Sequence, residues 1–361
     1  MEQVYNKTKD CSGCRACENI CPRNAIKIIC DEKGFKYPNI NEKDCINCNS
    51  CKKVCPMLSE IEKMEQIKIY ASKNKNEEIR NTSSSGGVFS SLAEYIINQN
   101  GVVFGAIFDN EFKVVHAKAS NLEELQKIRT SKYVQSDLKN IYKQVKEELK
   151  NGKKVLFSGT PCQVAGIKNY IGENGNLYLI DIVCHGVPSP KIFEDYKAYL
   201  EEKYNSKIVD INFRYKIDNK IQKIKVEFEN GNRYISSFNE NDYMYKLFLN
   251  DLILRDSCYE CKFKNINRAT DISLADFWGI EKTNKKDFDD QKGVSLILVN
   301  TKKGYELLKN IENKLDLKEA NREECMPYNC FGALNRNNNI NIIWKEYFKN
   351  GFIYIAERYC K

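Results

Sequence analysis

The sequence predicts a mixed fold, between α+β and α/β, in which a small cysteine-rich module precedes one larger mixed α/β domain. Three observations lead there. A short cysteine pattern occurs twice within the first 58 residues. From about residue 66 onward, apolar runs of strand length alternate with helix-length amphipathic segments. A chain of 361 residues also exceeds the length at which a single core usually stops growing. The expected organisation is a module over residues 1–58, a linker over 59–66 and the large domain over 67–361.

Lys and Arg outnumber Asp and Glu by 57 to 49, a net charge of +8, but the excess is spread through mixed-sign runs such as KEELKNGKK. That pattern suits an acidic protein partner or an anionic ligand better than nucleic acid, and a plain solubilising surface accounts for it first of all. The opening MEQVYNKTKDCSGC contains no apolar region of signal-peptide length, and no long apolar run follows. No membrane span and a cytoplasmic location are therefore expected. Sixteen cysteines in such a chain, clustered at short regular spacings, read as metal ligands and not as disulfides.

Cys11, Cys14, Cys17 and Cys21 form C-x2-C-x2-C-x3-C followed by Pro22; Cys45, Cys48, Cys51 and Cys55 repeat it, followed by Pro56. This is the bacterial ferredoxin arrangement, in which three closely spaced thiolates hold one [4Fe-4S] cube and the fourth reaches the other. Cys11, Cys14, Cys17 and Cys55 are expected around one cluster, and Cys45, Cys48, Cys51 and Cys21 around the second. Zinc is the alternative, but its sites usually pair two C-x-x-C units. Small residues at Ser12, Gly13, Ala16, Asn47 and Ser50 leave backbone amides free to donate to cluster sulfur. AIKIIC…GFKYPNI between the repeats reads as a hairpin with Cys30 as a small core residue. MLSEIEKMEQ reads as a helical linker.

In the large domain the expected strands are IKIYAS, VVFGAIF, VVHAKA, KVLFSG, LYLIDIV, DINFRYK, IKVEFE and SLILVN. The expected helices span 87–99, 139–151, 163–171, 190–203, 240–253 and 302–314. CYECKF adds a lone pair, Cys258 and Cys261, half a metal site with no second pair nearby. In KVLFSGTPCQVAG a strand runs into Gly159-Thr160-Pro161, a turn that opens a helix with Cys162 at its start. In LYLIDIVCHGVPSP another strand ends at Cys184, followed by His185 and Gly186. Both cysteines sit just past the C-terminal end of a strand, where open α/β sheets gather ligand-binding groups. If the two strands are neighbours, Cys162 and Cys184 supply the missing ligands for a third [4Fe-4S] cluster. Zinc at the same four, or buried cysteines beside an unrelated C-x-x-C redox pair, are the alternatives.

TSSSGGVFSSL, RTSKYVQS, FSGTPCQVAG, DIVCHGVPS, CYECKF and ISLADFWGI, in that order, resemble the coenzyme F420 hydrogenase/dehydrogenase beta-subunit family, with a two-cluster ferredoxin module at the N-terminus. The resemblance covers nearly the whole chain. It implies FAD, an iron-sulfur cluster in the large domain, and electron transfer between clusters and a deazaflavin or another two-electron acceptor. Some plant and cyanobacterial relatives are ferredoxin-dependent reductases of chlorophyll intermediates. One departure is Ala275, where the family often has Gly; the role of Asp276, Phe277, Trp278 and Gly279 after it is left open.

On its own, NTSSSGGVFSSLAEYIINQNG is a Ser/Gly loop opening a helix whose Val88, Leu92, Tyr95 and Ile96 face one way. Free N–H groups at a helix start can hold a pyrophosphate, and an ordinary capped helix explains the same letters. The resemblance makes Ser84, Ser85, Gly86 and Gly87 candidates for the FAD phosphates. It adds Arg129, Ser131, Lys132, Tyr133 and Gln135 from RTSKYVQSD and Gly159, Thr160 and Pro161 as further cofactor-binding candidates. Lys132 is a candidate to tune the isoalloxazine or orient substrate. His185 is a candidate proton donor or a support for its loop, and His116 reads as structural. Cys325, Cys330 and Cys360 fit no cluster spacing.

The expected activity is that of an FAD- and iron-sulfur-dependent oxidoreductase: electrons pass between a ferredoxin or another redox protein, three [4Fe-4S] clusters and FAD, to reduce or oxidise a small molecule, with coenzyme F420 as one candidate. The rivals are an electron-relay adaptor subunit without its own substrate and a zinc-stabilised binding module.

Overall fold

The computed structural model describes residues 3–60, 65–217, 220–237, 242–329 and, apart from 330, 333, 335 and 338, residues 331–360. Part of the helical linker expected over 57–66 and the first two residues of the helix expected over 240–253 lie outside the described residues, as does Cys330.

Thirteen strands are found among the described residues: β1 (Ile26–Cys30), β2 (Lys36–Ile40), β3 (Lys68–Asn74), β4 (Val102–Phe108), β5 (Val114–Ala119), β6 (Val155–Gly159), β7 (Leu177–Ile182), β8 (Ile208–Ile217), β9 (Lys220–Phe228), β10 (Arg233–Ser237), β11 (Ile272–Asp276), β12 (Ser295–Val299) and β13 (Leu315–Ala320). β1 and β2 form the hairpin of the front module. The large sheet runs β13-β3-β12-β11-β7-β6-β4-β5, and β8, β9 and β10 form a separate antiparallel sheet. At the centre of the large sheet, β4, β6, β7 and β11 are parallel neighbours.

Apolar residues alternate along these central strands and serve two cores, as the two-residue side-chain period requires. Val103, Leu156 and Ile180 face a core shared with the helices Val88–Asn98, Leu122–Ile128 and Lys302–Lys309. Val102, Phe104, Val155, Phe157, Leu177 and Leu179 face the opposite core, shared with Ile141–Lys150 and Pro161–Ile171. A third core joins the β8-β9-β10 sheet to the helices Pro190–Tyr204, Tyr243–Leu249 and Ile340–Tyr359.

The strands expected from sequence are present. β10, β11 and β13 and the helix Ile340–Tyr359 are additions. β11 hides because Asp276 and Gly279 make its end read as a turn; it is held as a strand by pairing on both sides, to β7 and β12. Cys30 corrects the expectation of a core residue: it is exposed because it ends β1, beyond the buried Ile26 that shares its face. No helix among the described residues is long and apolar enough to cross a membrane.

Candidate functional site

In each repeat of the module two residues with positive φ curl the backbone: Gly13 and Arg15 in the first, Asn47 and Asn49 in the second, at equivalent positions. This left-handed geometry, open to glycine and tolerated by asparagine, turns successive cysteines toward one interior. Cys11, Cys14, Cys17 and Cys55 line one cavity. Cys21, Cys45, Cys48 and Cys51 line a second. Each repeat thus sends its last cysteine to the other's cavity. Backbone N–H groups already reach sulfur, Ala25 N to Cys21 Sγ at 3.3 Å and Asn47 N to Cys45 Sγ at 3.4 Å.

The large domain builds a third enclosure. The helix Pro161–Ile171 begins where it does because Thr160 and Gln163 cap it reciprocally and Pro161 fits its first turn, which sets Cys162 at its start. β6 and β7 are parallel neighbours, with Gly159 opposite Asp181, so the loops that follow them lie side by side. Cys162 and Cys184 from those loops, with Cys258 and Cys261, line one small cavity, together with Ser12 and Met57 of the module. Val187 N donates to Cys258 Sγ at 3.4 Å. Burial pushes the Cys162 thiol up to about 11 and Cys258 to about 12, and the neighbouring thiols add to the rise. Burial and the other three thiols raise Cys184 strongly as well, against the opposing field of Lys264. No three ligating side chains close on a single metal ion among the described residues; the four cysteines instead surround a shared space.

Beside it, along the C-terminal ends of the parallel strands, lies a cavity of about 590 Å³, within the roughly 300–1,000 Å³ usual for small-molecule and cofactor sites. Cys184, Thr160, Gln163, Gly186 and Val187 line both spaces. Of the residues expected from sequence, Ser84, Ser85, Gly87, Arg129, Ser131, Lys132, Tyr133, Gly159, Thr160 and His185 line the large cavity. Gly86, Gln135 and Pro161 do not. The Gly86 N–H donates to Ser295 Oγ at 2.9 Å, and a Cβ there would meet Ser72 O at 2.4 Å, so that glycine serves packing. Gln135 and Pro161 line the small cysteine cavity.

Gly87 (φ 85°) caps the helix Val88–Asn98 without a side-chain acceptor. Ser84 Oγ accepts from Ser131 N at 2.7 Å, tying the two candidate loops together. The Lys132 ammonium donates to the Arg129 and Thr130 carbonyls at 3.0 and 3.2 Å, and burial lowers its pKa to about 7. His185 Nε2 meets Asp251 Oδ1 at 2.6 Å, and its ring stands edge-on to Phe248. His116 also lines the cavity, stacked on Phe157 and bonded to Ser136 and Ser158.

Sequence reasoning missed Arg214. It lies on β8, is buried, and donates to Tyr133 Oη at 3.0 Å, Asp276 Oδ2 at 2.9 Å and Ser84 O at 2.8 Å. Asp276 thereby acquires the partner its motif did not reveal. The Nε atoms of Arg214 and Arg129 are buried without a hydrogen-bond partner among the described residues, and both residues line the cavity. Two guanidinium groups in the wall, Arg214 paired with Asp276 and Arg129 with Glu94, give the cavity a cationic side that suits an anionic occupant.

Residues 152–324 match the family model for the C terminus of the coenzyme F420 hydrogenase/dehydrogenase beta subunit. Residues 10–58 and, in an overlapping match, 37–88 fit models described as 4Fe-4S dicluster domains. A 4Fe-4S dicluster match at the front is thus followed by a match, over just under half of the chain, to the coenzyme F420 hydrogenase/dehydrogenase beta-subunit family. The chain is similar to iron-sulfur electron-transfer proteins of an oxidoreductase family. Among solved structures, a chain from the xenon-derivatised F420-reducing [NiFe] hydrogenase complex of Methanosarcina barkeri is similar at 16% identity and a TM-score of 0.50, over 82% of this chain and 91% of that one. At that identity the likeness is one of fold. Curated protein sequences give no match. The beta-subunit match covers the third cysteine enclosure and the strand ends at the large cavity, while the Ser/Gly loop and Lys132 lie before it.

Proposed function

We propose that the chain is an FAD- and iron-sulfur-dependent oxidoreductase that moves electrons between a ferredoxin-type protein and a small substrate, coenzyme F420 being a candidate. The observation that carries this reading is the wall shared by the two cavities of the large domain: Cys184 lines the four-cysteine enclosure and the cofactor-sized cavity at once. In this reading Cys11, Cys14, Cys17 and Cys55 hold one [4Fe-4S] cluster, Cys21, Cys45, Cys48 and Cys51 a second, and Cys162, Cys184, Cys258 and Cys261 a third. The clusters supply one-electron transfer, and FAD supplies the exchange between one- and two-electron chemistry.

The protein's own residues then have distinct tasks. Ser83, Ser84, Ser85 and Gly87, with the guanidinium groups of Arg129 and Arg214 in the same wall, receive the phosphates. Arg214 also fixes Tyr133 and Asp276, so two strands, β8 and β11, and the loops of Ser84 and Tyr133 are tied together around the cavity. Lys132, whose pKa burial lowers to about 7, places an exchangeable proton at the wall. His185, oriented by Asp251, is the second candidate for moving a proton. A cytoplasmic setting fits this chemistry, since reduced thiolates are needed to assemble the clusters.

The family description, a beta subunit, favours a second reading, in which the chain relays electrons for a larger complex and has no substrate of its own. Anaerobic turnover of the isolated chain with reduced ferredoxin, against F420 and a panel of unsaturated metabolites, separates the two: activity without a partner excludes the pure relay. The cofactor reading is tested first. About twelve irons per chain and a flavin spectrum that bleaches on dithionite are expected, with Cys258→Ser losing about four of those irons. A colourless zinc protein, or an unchanged iron count in that variant, rejects it.

A further inference from the structure

Two buried cations, Lys264 in the wall of the third cysteine enclosure and Arg255 behind it, have no carboxylate among their hydrogen-bond partners in the described residues, though Asp31 acts on Arg255 through space. Arg255 is fully buried. Its guanidinium donates to Cys11 O at 2.8 Å, Gln135 Oε1 at 2.9 Å and Lys36 O at 3.0 Å, and approaches Cys11 Sγ at 3.6 Å. It lies over the Tyr37 ring at 4.2 Å. None of these partners is a carboxylate. Its backbone carbonyl meanwhile accepts from Cys258 N at 2.9 Å, so one residue touches a cysteine of the first front cavity and a cysteine of the third. Lys264 lines the third cavity itself, is 8% exposed, and its Nζ is buried without a hydrogen-bond partner among the described residues. By contrast Lys262, next but one in sequence, is half-buried and donates to the Met57 and Ser59 carbonyls, a docking contact.

An ammonium and a guanidinium left without a counter-charge in the interior would each be strongly destabilising. Four neutral thiols would not offset them. Four thiolates around an oxidised [4Fe-4S] core carry a net charge of roughly 2−, which two cations balance. The excess positive charge and the proposed excess negative charge thus account for each other.

We infer that Arg255 and Lys264 are the counter-cations of the third cluster site, Lys264 serving that site alone and Arg255 bridging it to the front site that contains Cys11. The inference rests on the third cluster of the proposed function. It assigns both residues a positioning role: they hold positive charge where one added electron raises the negative charge, with no bond made or broken, and so favour the reduced state. The Arg255 guanidinium is hydrogen-bonded at the Cys11 site and reaches Cys162 and Cys258 through space, so its charge acts on neighbouring stations of the same path. The site of Cys21, Cys45, Cys48 and Cys51 lies outside its hydrogen bonds and provides an internal control.

The test is an anaerobic potentiometric titration of the full-length holoprotein followed by electron paramagnetic resonance. Iron is counted in the unsubstituted protein first: about eight irons instead of about twelve would reject the third cluster itself, independently of any counter-cation. Cys258→Ser then identifies the third cluster's signal by its loss. Lys264→Gln is expected to lower the midpoint potential of that signal and leave both front signals unmoved, with Lys264→Arg restoring it. Arg255→Gln is expected to lower the third signal and one front signal, leaving the other in place. Loss of the third cluster's iron in Lys264→Gln but not in Lys264→Arg carries the same meaning. An unchanged midpoint in Lys264→Gln, an equal shift of all three signals in Arg255→Gln, or iron loss in both Lys264 variants overturns the assignment.

Discussion

Arg214 organises the large cavity more than any residue the motifs contain. It is buried, and three of its bonds go to residues of two other segments and to β11. Removing one partner of a buried ion pair strands the other, a cost of about 3–5 kcal/mol. Arg214→Met is expected to lower the melting temperature by several degrees and to reduce flavin retained on purification several-fold; a variant with full flavin content would remove Arg214 from the binding site. His116 makes a separate prediction. Burial, against the Ser158 carbonyl, holds its pKa near 4 instead of 6.5. Between those values the unfolded chain binds a proton that the folded chain does not, so stability falls as pH falls through that window, by up to about 3 kcal/mol. The melting temperature should therefore drop between pH 6.5 and pH 5, and His116→Phe should flatten that drop relative to the unsubstituted protein.

At the scale of elements, the Ser/Gly loop divides into a packing half and a binding half. Gly86 presses against β3 and β12, where a Cβ would sit 2.4 Å from Ser72 O and 2.8 Å from Ser295 N. Ser84 and Gly87 face the cavity. Gly86→Ala should therefore destabilise the fold by about 1–3 kcal/mol through overpacking, while Ser84→Ala should leave the melting temperature within a degree or two and weaken flavin binding. Thermal melts paired with flavin equilibrium dialysis separate the two effects; equal losses of both kinds in Ser84→Ala would erase the division. The four glycine and serine letters look alike in sequence because loop conformation, not residue type, decides which backbone faces β12.

At the scale of the molecule, the module is fastened to the large domain by buried polar contacts. Asp137 pairs with both Arg15 and Lys36, and Asn19 donates to the Lys139 carbonyl at 2.8 Å. Burial alone would raise the Asp137 pKa, but Lys36 and Arg15 outweigh it and hold it below the usual carboxylate range. Its contribution is thus present above the ordinary carboxylate pKa and lost as pH falls through the lowered value. Asp137→Asn should speed hydrogen exchange in the β1–β2 hairpin while sparing β6 and β7; exchange unchanged in the hairpin would show that docking rests elsewhere.

Covalent spacing was the part of this protein legible from letters alone. Cys11 to Cys55 name a dicluster module because three ligands two residues apart can close around one cube only with a fourth from elsewhere, a constraint local enough to survive without a fold. The strands β4 and β6 were legible for a similar reason, since strands covered on both faces are written as continuous apolar runs, VVFGAIF and KVLFSG. Arg214, Arg255 and Lys264 were not, because nothing in DINFRYK, LRDSCY or CKFKN says which lysine or arginine loses its water. That is settled only when β8 reaches the Ser84 loop and Arg255 lies between Cys11 and Cys258. Burial converts an ordinary surface cation into a fixed charge, and burial is a property of packing between segments far apart in sequence, 62 to 130 residues for the partners of Arg214 and up to 244 for those of Arg255.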